Sequence, residues 1–271
     1  MPELPEVETV IRSIKPQIID KKIISLHVSW ANTLSTHSSL KINKLLKNKL
    51  ITSVSRRGKY IIIHLEKNFI VIHLRMTGKL IYQKNIKELY KYSRAEFIFN
   101  DKSKLIFTDI RKFGRIGMYK NLDYLDRKLG LEPFSKELDV NYLFYKLQKR
   151  TGPIKGALLN QSIVAGIGNI YADEILFKIK IHPKISSNKL KKKKLLELIS
   201  AIKIILSDAI DSMGTTIINF SFDKDSQGKY GKKLKVFRRE NKPCIICKTK
   251  IIKIKCVGRG TYFCPNCQKN N

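Results

Sequence analysis

Apolar and polar residues alternate in short runs from residue 23 to about residue 120, and turn-forming residues separate the runs. "KKIISLHV", "KYIIIHL", "NFIVIHL", "RAEFIFN", "KLIFTDI" and "RIGMYK" are the clearest. They are rich in the β-branched and aromatic residues that suit a half-buried pleated surface. "HLEKNF" joins two of them as a tight hairpin. No helical crossover separates the runs, so they predict an antiparallel meander, a β-sandwich or barrel, rather than a parallel sheet. Ahead of them, Val7, Val10, Ile11 and Ile14 recur at helical spacing. Pro5 suits a first helical turn, so a docked helix is expected at the start.

From about residue 122 to 214 the period changes. "VNYLFYKLQKR", "NIYADEILFKI" and "KLLELISAIKIILSDAI" carry apolar residues at helical spacing. Pro133 and the "TGP" at 151–153 punctuate this half and put a boundary near 130–140. "FDKDSQGKYGKK" then reads as a flexible loop, and a cysteine module follows it. The expected division is 1–130, 131–230 and 231–271. There is no internal repeat.

Charge adds a partner. The 54 Lys and Arg against 22 Asp and Glu give a net +32, which attracts polyanions and makes nucleic acid the default partner. The chain is also rich in Lys, Ile and Asn throughout, as AT-rich coding produces. Roughly half of the excess charge is assigned to that drift, because dispersed charge is ordinarily a solvated surface. The "KLKKKK" at 189–194 is read in that way, as the solvent-facing start of a helix. No apolar run reaches the length of a membrane span and no secretory signal is present, so cytosolic residence is the simplest reading.

Four of the five cysteines, Cys244, Cys247, Cys264 and Cys267, follow C-x2-C-x16-C-x2-C. Two such knuckles let four thiolates converge on one ion in a closed tetrahedral site, which points to one structural Zn²⁺. A redox pair would sit at a helix start in an α/β pattern, which is absent. Cys256 lies between the knuckles and reads as a small hydrophobic strand residue. In "CVGRGTYFC", Arg259 falls between two glycines at or near a hairpin tip, where a guanidinium can clamp phosphate bidentately. The plain alternative is a solvated arginine.

The opening "PELPEVET", "RRGKY" at 56–60, "DIRKFG" at 109–114, "GIGNIYADEILF" at 166–177 and the terminal cysteine module occur in one order over essentially the whole chain. Together they resemble the bacterial formamidopyrimidine-DNA glycosylase family. The resemblance implies an α+β fold: an N-terminal β-sandwich with flanking helices, a helical helix–two-turn–helix domain, and a zinc-finger β-hairpin. It also implies a monomer that acts on double-stranded DNA, excising oxidised purines and then cleaving the abasic strand.

The residues permit that chemistry. A small residue behind Met1 normally lets the initiator be removed, which would leave Pro2 with a free secondary amine. An α-amine titrates at about 7.7–8.0 against about 10.4 for lysine, so more of it is an uncharged nucleophile near neutrality. By the resemblance it attacks C1′ of the damaged nucleotide, displaces the base and leaves an iminium. Glu3 is then the general acid and base. Glu6 matches the same motif, but an acidic residue in a helix's first turn has a structural reason to be there. Lys59 aids β-elimination and Arg259 binds the lesion's phosphate and is associated with δ-elimination. Met76, Arg111 and Phe113 fill the gap left by the flipped nucleotide, since a stacked base is unreachable.

"GIGNIYADE" lacks the third glycine and preceding strand of a dinucleotide loop, and fits a phosphate clamp opening a helix, with Asn169 as a donor. Arg150 and Lys155 are further phosphate contacts by match. The segment around "SQGKYG" matches the one that covers the everted base. Tyr92 and Arg94 stand where relatives often carry histidines, which puts a DNA contact at Tyr92 in question, and Asn160 replaces a frequent aspartate. Two rivals are an endonuclease VIII-like enzyme for oxidised pyrimidines and a non-catalytic zinc-finger DNA-binding protein. The first is disfavoured by the complete Met76, Arg111 and Phe113 set, the second by Pro2, Glu3 and Lys59 occurring together.

Overall fold

Strand-forming residues of the N-terminal half build eight antiparallel strands: β1 (Lys22–Val28), β2 (Lys49–Arg57), β3 (Tyr60–Leu65), β4 (Phe69–His73), β5 (Gly78–Gln83), β6 (Ser93–Phe99), β7 (Lys104–Asp109) and β8 (Arg115–Tyr119). The structure is a computed structural model and describes residues 1–84, 90–215 and 228–270. Hydrogen bonding runs in the order β5-β7-β6-β1-β2-β3-β4-β8. The β1–β2 seam rests on Lys22 opposite Leu50 and Ile23 opposite Lys49, whereas β3 and β4 pair along five residues from Tyr60 opposite His73 to His64 opposite Phe69. This short seam separates two four-stranded layers. Ile61, Ile63, Ile70 and Ile72 of one layer share a buried core with Phe97, Phe99, Leu105 and Phe107 of the other, which makes the expected sandwich.

The first helix, α1 (Leu4–Ile18), buries Val7, Val10, Ile11 and Ile14 in that same core, as its spacing requires. The next helix escaped the sequence pattern. The eight-residue α2 (Ser39–Leu46) interrupts the strands and buries only Ile42 and Leu46, too few apolar positions to show a period. Its signal is the capping Ser38, whose side chain accepts from the Lys41 N–H.

The chain divides by contacts into two compact units, one of residues 1–125 with 213–228, the other of 126–212 with 229–271. After α3 (Asp123–Lys128), the second unit contains α4 (Val140–Leu147), α5 (Ile154–Leu159), α6 (Asn169–Lys178), α7 (Lys192–Asp211) and the hairpin of β9 (Ile252–Cys256) and β10 (Arg259–Phe263). Helix α7 buries Leu195, Leu198, Ile202, Ile205, Leu206 and Ala209 along one face. The helical segment and the cysteine hairpin therefore pack as one unit. The first half of "FDKDSQGKYGKK" lies outside the described residues; its last part, Tyr230–Lys233, forms a turn of 3₁₀ helix. No helix among the described residues is long and apolar enough to cross a membrane.

Candidate functional site

The chain's opening is folded into the first unit. Pro2 is buried, and Glu3 and Lys59 are almost wholly so. Glu3 occupies the N-cap of α1 in a reciprocal capping box with Glu6. Glu6 takes a structural part with both oxygens: Oε2 accepts the Glu3 N–H at 2.8 Å and Oε1 the Thr215 N–H at 2.7 Å. A side chain on Gly214 would meet Glu6 Oε1 at 2.7 Å, and its φ of +71° suits glycine. Lys59 lies in the turn between β2 and β3, behind Gly58 at φ +56°. The turn is tied to α1 by Arg56, which reaches Glu8 at 3.0 Å and donates to the Gly58 carbonyl at 3.1 Å. A carboxyl and an amine, both largely withdrawn from water, thus sit in one unit with the start of the chain.

The loop between β7 and β8 brings a second set together. Arg111 Nη1 lies 3.1 Å from Met76 Sδ, and its guanidinium lies 4.7 Å from the centre of the Phe113 ring. Met76 and Phe113 are large apolar side chains left 41% and 46% exposed, unusual for residues flanking buried strands. Asp109, buried at the end of β7, holds this loop. Its Oδ1 accepts from the Arg111 N–H at 3.1 Å and from the Thr77 hydroxyl, and its Oδ2 from the Gly114 N–H at 2.7 Å. Lys112 adopts φ +60° and its ammonium lies 4.0 Å from the centre of the Trp30 ring.

Tyr92 lies at the root of the same loop: its carbonyl accepts the Asp109 N–H at 3.0 Å, and Arg94 Nε donates to the Asp109 carbonyl at 2.8 Å. Sequence reasoning passed over Asp109 and Thr77, although Asp109 stands inside the quoted "DIRKFG". Asp109→Asn, which cannot accept at both oxygens, is expected to lower unfolding stability by about 1–3 kcal/mol. An unchanged denaturant midpoint would remove Asp109 from this role.

In the second unit, Gly168 caps α6 and Asn169 is its first residue. Gln161 shapes the preceding turn, accepting the Gly166 N–H at 3.0 Å and donating to the Ile167 carbonyl at 2.8 Å. Arg150 is exposed just beyond α4. Lys155 is different. It has no exposed surface and lies 2.7 Å from Asp173, a pair buried between α5 and α6. A phosphate contact is not open to an ammonium so enclosed, and the expected role is corrected to an internal one. Burial pushes the Asp173 carboxyl up, to about 7, against the pull of Lys155 and the Tyr262 N–H. Glu174 next to it accepts the backbone N–H groups of Lys235, Val236 and Phe237, each at 2.9 Å.

The four cysteine sulfurs lie within 4.8 Å of one another, with Cys247 3.4 Å from Cys264 and 3.5 Å from Cys267. A tetrahedron of Zn–S bonds of ~2.3 Å has edges of about 3.8 Å, so the donor set fits zinc. Four thiolates this close repel one another unless a cation takes up their charge. Cys256 lies outside the group, buried at the end of β9. Arg259 follows the two-residue turn Val257–Gly258, both at positive φ, and is exposed as the first residue of β10. Part of the "SQGKYG" segment lies outside the described residues.

A β-sandwich bearing a capped helix start and an exposed Met–Arg–Phe cluster, followed by a helical module with a cysteine hairpin, defines a class of zinc-finger protein. Three family models match in sequence order: the formamidopyrimidine-DNA glycosylase N-terminal domain over residues 1–116, the formamidopyrimidine-DNA glycosylase H2TH domain over 129–221, and the zinc finger found in FPG and IleRS over 241–270. The chain is 40% identical to the formamidopyrimidine-DNA glycosylase of Mycoplasma genitalium over 99% of this chain and 96% of that one. It is 41% identical to that of Lactobacillus helveticus over 99% of both. Among solved structures, the Lactococcus lactis Fpg in complex with DNA containing an abasic site superposes with a TM-score of 0.92 at 38% identity, covering 99% of this chain and 100% of that one. The same protein with DNA containing Fapy-dG gives 0.91 at 38% identity over the same shares. The chain belongs to the formamidopyrimidine-DNA glycosylase family.

Proposed function

We propose that this protein is a DNA glycosylase and abasic-site lyase of base excision repair, acting on oxidised purines in double-stranded DNA in the bacterial cytoplasm. The observation that carries this reading is the juxtaposition of Met76, from the turn between β4 and β5, with Arg111 and Phe113 on the β7–β8 loop, a wedge of the kind that replaces a flipped base. It is supported by full-length similarity to relatives solved with Fapy-dG and abasic DNA.

The chemistry divides among this chain's residues. With Met1 removed, the Pro2 nitrogen attacks C1′, the C1′–N bond breaks, and the base leaves with a proton. The C1′–O4′ bond then opens as O4′ takes a proton, and the iminium so formed withdraws electrons and acidifies C2′. Loss of a C2′ proton with cleavage of the C3′–O bond is β-elimination; cleavage at C5′–O completes δ-elimination. Glu3, withdrawn from water, moves the protons. Lys59 assists the first elimination, and Arg259 stabilises a leaving phosphate as a permanent cation. Arg150, Asn169 and Tyr92 supply contacts to the DNA. The zinc ion holds the hairpin that presents Arg259 and takes no part in the reaction.

The reading is tested with a duplex carrying 8-oxoguanine opposite cytosine, which the protein should nick at the lesion while sparing undamaged DNA. Arg111→Ala should reduce discrimination by the opposite base, of the order of the 1–3 kcal/mol that one good base contact supplies. General duplex affinity should change less. An unchanged preference for cytosine over adenine opposite the lesion would take Arg111 out of the wedge.

A further inference from the structure

The strand that carries Arg259 is held by a buried polar set that nothing in the proposed chemistry uses. Three consecutive residues after Arg259 are gripped from α5 and α6. Gly260 O accepts from Asn169 Nδ2 at 3.0 Å and from Lys155 Nζ at 3.4 Å. Thr261, with no exposed surface, accepts at its hydroxyl oxygen from Lys155 at 2.7 Å, and that hydroxyl donates to the Arg259 carbonyl at 3.1 Å. The Tyr262 N–H donates to Asp173 at 3.0 Å, and Asp173 pairs with Lys155. At the tip, Val257 packs over Gly156 on α5, where an added Cβ would come within 3.1 Å of it.

A simpler use for a buried lysine and aspartate would be to join α5 to α6, and for that the pair alone would suffice. Here every remaining hydrogen-bonding partner of the pair lies on the hairpin strand. Burying two charges is costly, and removing one partner of such a pair leaves the other uncompensated, so the arrangement fixes register closely. We propose that Lys155, Asp173 and Thr261 form a brace that positions Arg259 and thereby sets the partition between β- and δ-elimination. They are positioning residues and touch no substrate. The inference rests on the assignment of Arg259 to the leaving phosphate.

Thr261→Val removes one hydroxyl from the brace at nearly constant volume, and Thr261→Ser keeps it. On an abasic duplex, the share of product ends carrying a 3′-phosphate, the δ product, should fall on the order of tenfold in Thr261→Val, since small misplacements of a positioned group cost at least that much. Thr261→Ser should keep the original share. Zinc content and the rate of base loss from 8-oxoguanine should stay unchanged in both, a pattern that loosening of the whole hairpin would not give. Gly156→Ala leaves every buried polar group in place and suits a helix, so it guards against a misfolded Thr261→Val. It should displace the tip and lower the δ share a few-fold.

Arg259→Ala is the reference. If it abolishes the δ product while Thr261→Val and Gly156→Ala leave the share unchanged, the brace is overturned and the role of Arg259 stands. If Arg259→Ala itself leaves the share unchanged, both are overturned.

Discussion

Protein that keeps Met1 is expected to be inert, and the processed form active. In the unprocessed chain the Pro2 nitrogen is part of an amide and has no nucleophilic lone pair, so excision and covalent capture should both fall to background, a loss on the order of 10³-fold or more. Processed protein mixed with an 8-oxoguanine duplex should be trapped on the DNA by borohydride, which reduces the iminium. Glu3→Gln should lower base excision by about 10²–10⁴-fold through loss of proton transfer, and affect an abasic duplex less because no base has to leave. Intact mass fixes which form is present. Efficient trapping of a chain that retains Met1 would move the nucleophile to another residue, with a lysine the first suspect.

The second large effect is that of the metal. Elemental analysis should find one zinc per chain, and an iron–sulfur absorption band would contradict the site. Structural zinc supplies apparent binding energies of about 10–16 kcal/mol in small domains, far beyond what a two-stranded hairpin holds by itself. Cys244→Ser or chelation should therefore unfold the hairpin and weaken DNA binding, while the β-sandwich keeps its own cooperative transition. Loss should reach further than the hairpin. Cys244 and Cys264 share a small core with Val236, Ile251 and Phe177, and Phe177 belongs to α6. A chelated protein that binds lesion DNA with undiminished affinity would sever this link.

Much of the first unit was legible because strands declare themselves by alternation. "KYIIIHL" and "NFIVIHL" became β3 and β4, and the buried Ile61, Ile63, Ile70 and Ile72 are what their pattern required. The cysteine spacing and the converging Met76, Arg111 and Phe113 were also foreseeable, the last through family resemblance, since exposed Met and Phe beside strands look like core in a sequence. What escaped depends on contacts distant in the chain. Lys155 reads as one more surface lysine among many, and only its 2.7 Å approach to Asp173 makes it internal. Glu6 reads as a possible catalyst or a helix-start charge, and its partner Thr215 lies 209 positions away. Asp109 carries no periodic signal, because it acts through backbone N–H groups of a loop.

Lys112 and Arg75 hold the left-handed backbone region, at φ +60° and +54°, where an L side chain costs roughly 1–2 kcal/mol. Lys112 lies between Arg111 and Phe113, and Arg75 directly precedes Met76. Selection for thermal robustness alone would therefore favour asparagine or glycine at position 112, recovering much of that energy and giving up the 4.0 Å contact between Lys112 and Trp30. A laboratory lineage evolved under heat without DNA damage should drift at this position first. One evolved under oxidative stress should retain the lysine and unfold at the lower temperature.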